Sequence, residues 1–274
     1  MLYIVGTPIG NLGDISPRAK EILASADRIA CEDTRRTGLL LSSIGIKGRL
    51  ISYHEHNRVS KEEVLLSLLE QNQNIALVSD AGMPCISDPG FELVRACEIR
   101  SIPVTVIPGP TAFVAALAVS GIDTRRFLYE GFLPVDGKER KVRLQEISGF
   151  KHTVVIYEAP HRIIKTLQDF FQAGMGSRRI TVCRELTKKY EEIIRTTVDE
   201  AIQIFSEREP KGEFAVVIEA CPENVLFVSP ETREKRIKEL ACDGLSKKEI
   251  AAILSLEWSE SKKTIYADAV KMLK

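Results

Sequence analysis

A chain of 274 residues exceeds one ordinary small domain, for which about 100–200 residues is usual, and predicts two domains plus a remnant. With 44% apolar and 28% charged residues it has material for buried cores and a solvated surface, which excludes disorder as its default state. Lys and Arg number 38 and Asp and Glu number 38, so no global field draws it to nucleic acid or acidic membrane, and any polyanion contact must use a local patch.

The first apolar run, residues 2–5, is too short and lacks the basic flank of a signal peptide. No stretch approaches the roughly 20 apolar residues of a membrane span, so a protein that stays in the cytoplasm, with no membrane contact, is expected. Its six scattered cysteines form no C-x-x-C pair, which argues against a disulfide framework or structural zinc and fits a reducing compartment.

In chain order, short apolar runs at 2–5, 75–78 and 104–107 alternate with segments of helical period, the pattern of an α/β domain with a parallel sheet over 1–120. Ser16 and Pro17 read as the start of a helix, and Ser60 with Glu63 as a capping box ahead of Val64 and Leu65. A second α/β domain over 121–224 carries candidate strands at 127–130, 153–157, 180–184, 191–196 and 214–219, in a more mixed pattern that predicts some antiparallel pairing. Thr197 with Glu200 caps a helix between the last two strands. From 225 to 274 the composition becomes charged and helical, with a capping box at Ser246 and Glu249 and a further helix from Ser261 bearing Ile265, Ala269, Val270 and Leu273. From Ser229 onward ten Lys and Arg face eight Asp and Glu, so this small helical domain suits a weak electrostatic footprint or a packing cap equally well.

Four segments sit where strands end, the edge at which open α/β sheets bind ligands. V-G-T-P-I-G-N at 5–11 places Gly10 where a ligand could approach the backbone; its spacing is neither G-x-G-x-x-G nor a Walker A loop. C-E-D-T-R-R at 31–36 gathers two carboxylates and two guanidiniums. Asp33 or Thr34 would cap the next helix, and Arg35 and Arg36 have forks suited to phosphate. S-D-A-G-M-P-C-I-S-D-P-G at 79–90 repeats Ser-Asp-x-Gly after eight residues; Asp88 and Pro89 would cap the following helix, which leaves Asp80 as the ligand contact. I-P-G-P-T-A at 107–112 ends a strand and starts a helix at Thr111, whose free backbone donors could hold a small ligand. His54 and His56 would share a face if extended, but without further clustered ligands no metal is expected.

Taken in order, V-G-T-P-I-G-N-L, E-D-T-R, S-D-A-G-M-P-x-I-S-D-P-G, P-G-P, G-F-L-P at 131–134, R-E-L-T-K-x-Y-E at 184–191 and K-G-E at 211–213 resemble the tetrapyrrole methylase superfamily over nearly the whole chain. More narrowly, Ser79-Asp80-Ala81, where other members often have Gly-Asp-Pro, is similar to the branch acting on small-subunit ribosomal RNA. The resemblance implies two α/β domains with S-adenosylmethionine in the cleft between them, a homodimer, and 2′-O-methylation of a cytidine in 16S ribosomal RNA, within the small subunit. It also implies that the donor is lined by Pro8, Gly10, Asp80, Gly82, Ile86, Thr111, Ala112, Leu186 and Ala215.

Methyl transfer to a hydroxyl rests largely on alignment and is helped by a general base, for which Asp33, His54 and Glu185 are candidates by their place at strand ends. Arg35, Arg36, Lys138, Arg140, Lys141, Lys188 and Lys189 are candidate phosphate contacts. Two rivals stand beside this reading: a methyltransferase of the same fold with a tetrapyrrole or another small-molecule or protein acceptor, and a non-catalytic RNA-binding module. The extra helical tail weighs against the first, and the large sheet-edge loops against the second.

Overall fold

The structure is a computed structural model, and it describes residues 1–222, 228–258 and 260–273. The first unit runs β1 (Leu2–Val5), α1 (Pro17–Ser25), β2 (Arg28–Cys31), α2 (Thr34–Ser43), β3 (Leu50–Ser52), α3 (Arg58–Glu70), β4 (Ile75–Val78), α4 (Phe91–Ile99) and β5 (Val104–Ile107). Its five strands pair in the order β3-β2-β4-β1-β5, every pair parallel. A parallel strand covered on both faces must be apolar throughout, and β4 is buried at every position. The layers above and below are filled by Leu65, Leu69 and Leu93 from α3 and α4, and by Ala19, Leu23 and Leu41 from α1 and α2.

The second unit follows: α5 (Ala112–Ser120), β6 (Phe127–Phe132), α6 (Gly137–Gly149), β7 (Thr153–Glu158), α7 (Ile163–Phe170), β8 (Arg179–Arg184), β9 (Glu192–Thr197), α8 (Val198–Ser206) and β10 (Phe214–Ile218). Here the order is β6-β7-β10-β8-β9, with β6 and β7 parallel and the other pairs antiparallel, the mixed sheet that the sequence pattern suggests. Central β10 is wholly buried. Phe170, Phe205 and Phe214 fill one face, while α5 covers the other with Ala116 and Leu117 against Val155, Cys183 and Val217.

Helix α5 therefore packs on the second sheet, although the boundary expected after Ser120 assigns it to the first unit. The physical reason is its composition: A-F-V-A-A-L-A-V-S is apolar on every side and needs a sheet face to bury against. The boundary expected at 224 and 225 lies outside the described residues.

The C-terminal unit comprises α9 (Pro230–Cys242), α10 (Lys247–Glu257) and α11 (Lys262–Met272), closed around Ile237, Ile250, Leu254, Trp258 and Ile265. Val270, expected on the inner side of α11, is 40% exposed, because it is one position past the buried Ala269 and so rotated off its stripe. Arg233 ties the unit together, pairing with Glu260 at 2.5 Å and Asp268 at 2.7 Å beside the Trp258 ring.

The local signals at Ser16, Thr197 and Ser246 act as the sequence suggests, each side chain accepting a first-turn N–H. Ser60 does not. Helix α3 begins at Arg58, two residues earlier, and the Glu63 carboxylate of the expected box is engaged by Arg100 at 2.8 Å.

Candidate functional site

A cavity of about 460 Å³ opens where the carboxyl ends of β1, β2 and β4 face the second sheet. The 79–90 loop forms one wall. Thr7 clamps its base, exchanging backbone hydrogen bonds with Gly82 at 2.9 and 3.2 Å. Beside it, Gly6 and Gly109 bring two loops together: a Cβ on Gly109 would lie 2.7 Å from the Gly6 Cα. Cys85 and Ser87 hold left-handed backbones at φ 69° and 62°, and the Ser87 hydroxyl meets the Tyr129 hydroxyl of β6 at 2.5 Å. The loop is thus fastened to both units.

The opposite wall is the turn after β8. Glu185 and Thr187 are also left-handed, at φ 51° and 66°. Lys188 braces them, bonding Glu185 at 2.7 Å and Glu213 at 2.8 Å. A Cβ on Gly10 would lie 2.3 Å from the Lys188 Cγ, so the first loop can approach this turn only as glycine. Tyr157 forms part of the floor, its hydroxyl accepting the Phe113 N–H at 2.9 Å, so one of the α5 N-terminal donors expected to be free is already engaged.

Among the residues expected to touch the donor, Asp80, Gly82, Ile86, Thr111, Ala112, Leu186 and Ala215 line this cavity. Pro8 and Gly10 line an adjoining shallow hollow that also reaches Asp80. Arg36 and Lys188 reach the cavity; Arg35 stands exposed next to it. Lys138 and Lys141 are exposed on α6, as is Lys189 over the Tyr190 ring.

Arg140 is a correction. It is 4% exposed, donates to Asp169 at 2.7 Å, to the Thr166 hydroxyl at 2.8 Å and to the Pro134 carbonyl at 2.8 Å, and has no face left for phosphate. Helical spacing along α6 explains it: Arg140 falls on the same inward face as Leu144 and Ile147, four and seven residues on, while Glu139 and Lys141 are exposed.

The three expected bases do not line the cavity. Asp33 caps α2, accepting from the N–H groups of Arg35 at 2.7 Å and Arg36 at 3.4 Å, and these bonds hold its carboxyl below the usual range. Burial would raise Glu185, but the Lys188 ammonium and the Glu213 N–H outweigh it and leave this carboxyl lowered too. His54 lies two residues past the end of β3, with its Nδ1 buried and without a partner among the described residues.

Glu32, which the sequence reading gives no role, and Asp88, which it makes a helix cap, do line the cavity. Burial, then the charge of Asp80, raises Glu32; burial, then the charge of Glu32, pushes Asp88 up to about 6 against the Ser79 hydroxyl. Asp88 is not the helix cap its Asp-Pro sequence suggests, since α4 starts only at Phe91 and its cap is Gly90. For Glu32 the one available signal was position: β2 ends at Cys31, so the next residue stands at the carboxyl edge of the parallel sheet, where ligands bind.

A parallel sheet and a mixed sheet enclosing an acidic cleft between their loops define a methylase of the tetrapyrrole type. Residues 1–202 match the family model described as Tetrapyrrole (Corrin/Porphyrin) Methylases, and the chain belongs to that family. It is 47% identical over 268 residues, 97% of this chain and 96% of the relative, to "Ribosomal RNA small subunit methyltransferase I" of Synechocystis sp.. The relative of that name from Haemophilus influenzae is 44% identical over 97% of this chain and 95% of its own. The one from Thermotoga maritima is 44% identical over 217 residues, 97% of its own length but 79% of this chain. Among solved structures, cobalt precorrin-4 methyltransferase superposes with TM-score 0.59 at 19% identity, covering 80% of this chain and 94% of that one. Uroporphyrin-III C-methyltransferase of Thermus thermophilus, complexed with S-adenyl homocysteine, gives TM-score 0.59 at 17% identity over 80% of this chain and 96% of that one.

Proposed function

We propose that this protein transfers a methyl group from S-adenosylmethionine to small-subunit ribosomal RNA, and that the acceptor is the 2′-hydroxyl of a cytidine in 16S RNA. The near full-length identity of 47% to a relative named for that substrate carries the reading. The cleft's chemistry supports the donor. A space of about 460 Å³ falls in the range of small-molecule sites, with apolar Ile9, Met83, Leu186 and Ala215 for a ring system and carboxylates for a cationic sulfonium and amine. Asp80, Gly82, Thr111, Ala112, Leu186 and Ala215 would hold the donor, with Pro8 and Gly10 at its edge. Bound there, it supplies an electrophilic methyl carbon. The chain's own residues orient, neutralise and exclude water: Arg36 and Lys188 fix the carboxylates of Asp80 and Glu213, and the left-handed turns hold both walls in place before substrate arrives.

For the RNA, Arg35, Arg36, Lys138, Lys141, Lys188 and Lys189 are the proposed phosphate contacts. A homodimer is proposed as well. Edge strand β5 turns Val106 outward at 51% exposure, a surface that pairing would cover, and sedimentation velocity reads the state directly. A cytoplasmic place follows from the substrate, and no helix among the described residues is long and apolar enough to cross a membrane.

The test incubates the protein with labelled S-adenosylmethionine and unmethylated small ribosomal subunits, then digests the RNA. Label in 2′-O-methylcytidine is expected; donor binding without label in RNA would move the acceptor to a small molecule or protein.

A further inference from the structure

Five carboxylates line the cavity: Glu32, Asp80, Asp88, Glu158 and Glu213. Three are engaged within the protein. Asp80 takes the Arg36 guanidinium at 3.1 Å and the Asp33 N–H at 3.2 Å. Glu158, fully buried, takes Arg162 at 3.0 Å, the Thr166 hydroxyl at 2.6 Å and the Ala159 N–H at 2.9 Å. Glu213 takes Lys188 at 2.8 Å. Among the described residues, no ion pair is made by Glu32 or Asp88.

Asp88 is also the carboxylate that the local backbone holds in place. The two residues at φ 69° and 62°, Cys85 and Ser87, lie within three positions before it, and such conformations persist only where the surroundings over-determine them. Those surroundings are visible. Ser87 is pinned to Tyr129, and Gly131 leaves it room, since a Cβ there would lie 3.2 Å from the Ser87 Oγ. With Gly90 as the cap of α4, the Asp88 carboxylate is not drawn to the helix.

We propose that Asp88 is the general base of the reaction, accepting the proton of the acceptor ribose hydroxyl as that oxygen is methylated. This rests on the RNA reading above. The hydroxyl oxygen gives an electron pair to the methyl carbon while its O–H bond breaks toward Asp88. The carbon–sulfur pair stays with the departing neutral thioether, and the proton passes from Asp88 to water as product leaves.

The groups facing Asp88 tune it. Glu32 approaches from the end of β2, Asp80 from the end of β4 and the Ser79 hydroxyl from the start of its own loop; Asp88 in turn raises Cys85 in that loop and Tyr129 and Tyr157 of the second sheet. Burial and the neighbouring carboxylates push it up to about 6. A base just below neutral pH is mostly ionised there and still strong enough to draw a proton in the transition state.

The experiment is single-turnover methylation of small subunits from roughly pH 5 to 8.5, with donor affinity measured by calorimetry. For the natural chain the rate rises about tenfold per pH unit and levels above a midpoint near 6. Asp88→Asn lowers the rate on the order of 10²–10⁴-fold where the natural chain has levelled and removes the midpoint near 6, with donor affinity held within about twofold. Glu32→Gln moves the midpoint to lower pH, because a like charge is gone. An Asp88→Asn protein that keeps the natural midpoint and rate overturns the assignment. So does one whose donor affinity falls in parallel with its rate, which would make Asp88 a wall of the donor site. A natural chain that binds donor yet labels no RNA at any pH takes down the RNA reading itself, a result distinct from both.

Discussion

Asp88 is tuned at a cost to the fold, and the sign of that cost is checkable. Its folded value of about 6 stands above the ordinary 3.8, so between those limits the folded chain holds a proton that the unfolded chain has released. Stability from this group is complete below about pH 4 and is lost as pH rises through 6. Asn carries no such proton. Asp88→Asn is therefore expected to unfold at a higher temperature than the natural chain at pH 7.5, with the gain gone near pH 4; equal midpoints at both would mean the carboxyl is solvated normally. Arg140 is the opposite case, a charge whose role is structural. Arg140→Ala takes from the partly buried Asp169 its ion pair and from the Thr166 hydroxyl, which keeps Glu158, one of its two partners; about 2 kcal/mol of stability should go with it in a urea titration, while the exposed Lys141→Ala changes it by less than about 0.5 kcal/mol.

At the scale of elements, capping signals in the sequence were reliable where nothing competed for their side chains. Thr197 accepts the Glu200 N–H and the Glu200 carboxylate accepts the Thr197 N–H at 3.1 Å, so Thr197→Ala should cost about 1 kcal/mol. Ser60→Ala should cost little by comparison, since its hydroxyl only donates back to the Asn57 carbonyl within the helix; a matching loss would restore Ser60 as a cap. The S-x-x-E spelling, a box at Ser246 and Glu249 but none at Ser60 and Glu63, thus has two outcomes; at the latter Arg100, just past α4, takes Glu63, a tertiary contact that no local pattern records. Strand cores were legible for a similar reason: β1, β4 and β5 are short apolar runs with no competing explanation. The placement of α5 was not, because a helix apolar on all sides says that it is buried without saying against which sheet.

Across the molecule, one cavity wall was legible because loops at the carboxyl edge of a parallel sheet converge by topology, which brought Asp80, Gly82 and Thr111 together from distant parts of the chain, whereas Leu186, on the turn after antiparallel β8, was reached only through the resemblance. The base was not, since choosing Asp88 over Asp33 required knowing which carboxylates are already engaged. Charge poses the last problem at this scale. With 38 cationic and 38 anionic side chains the protein has no net field, so attraction to a polyanion must come from a local group of cations near the cleft. Arg36 and Lys188 are partly neutralised by Asp80, Glu185 and Glu213, and Arg35 faces Asp33 at 3.7 Å, which shifts the burden to Lys138 and Lys141 on the outer face of α6. Each phosphate contact contributes roughly 0.7–0.9 to the slope of log affinity against log salt. Lys138→Ala with Lys141→Ala should thus lower that slope by about 1.4–1.8 in a titration of subunit binding from low to physiological salt, leaving donor affinity untouched. An unchanged slope would remove α6 from the RNA face and leave the cleft rim, with Arg35 at its edge, to hold the substrate.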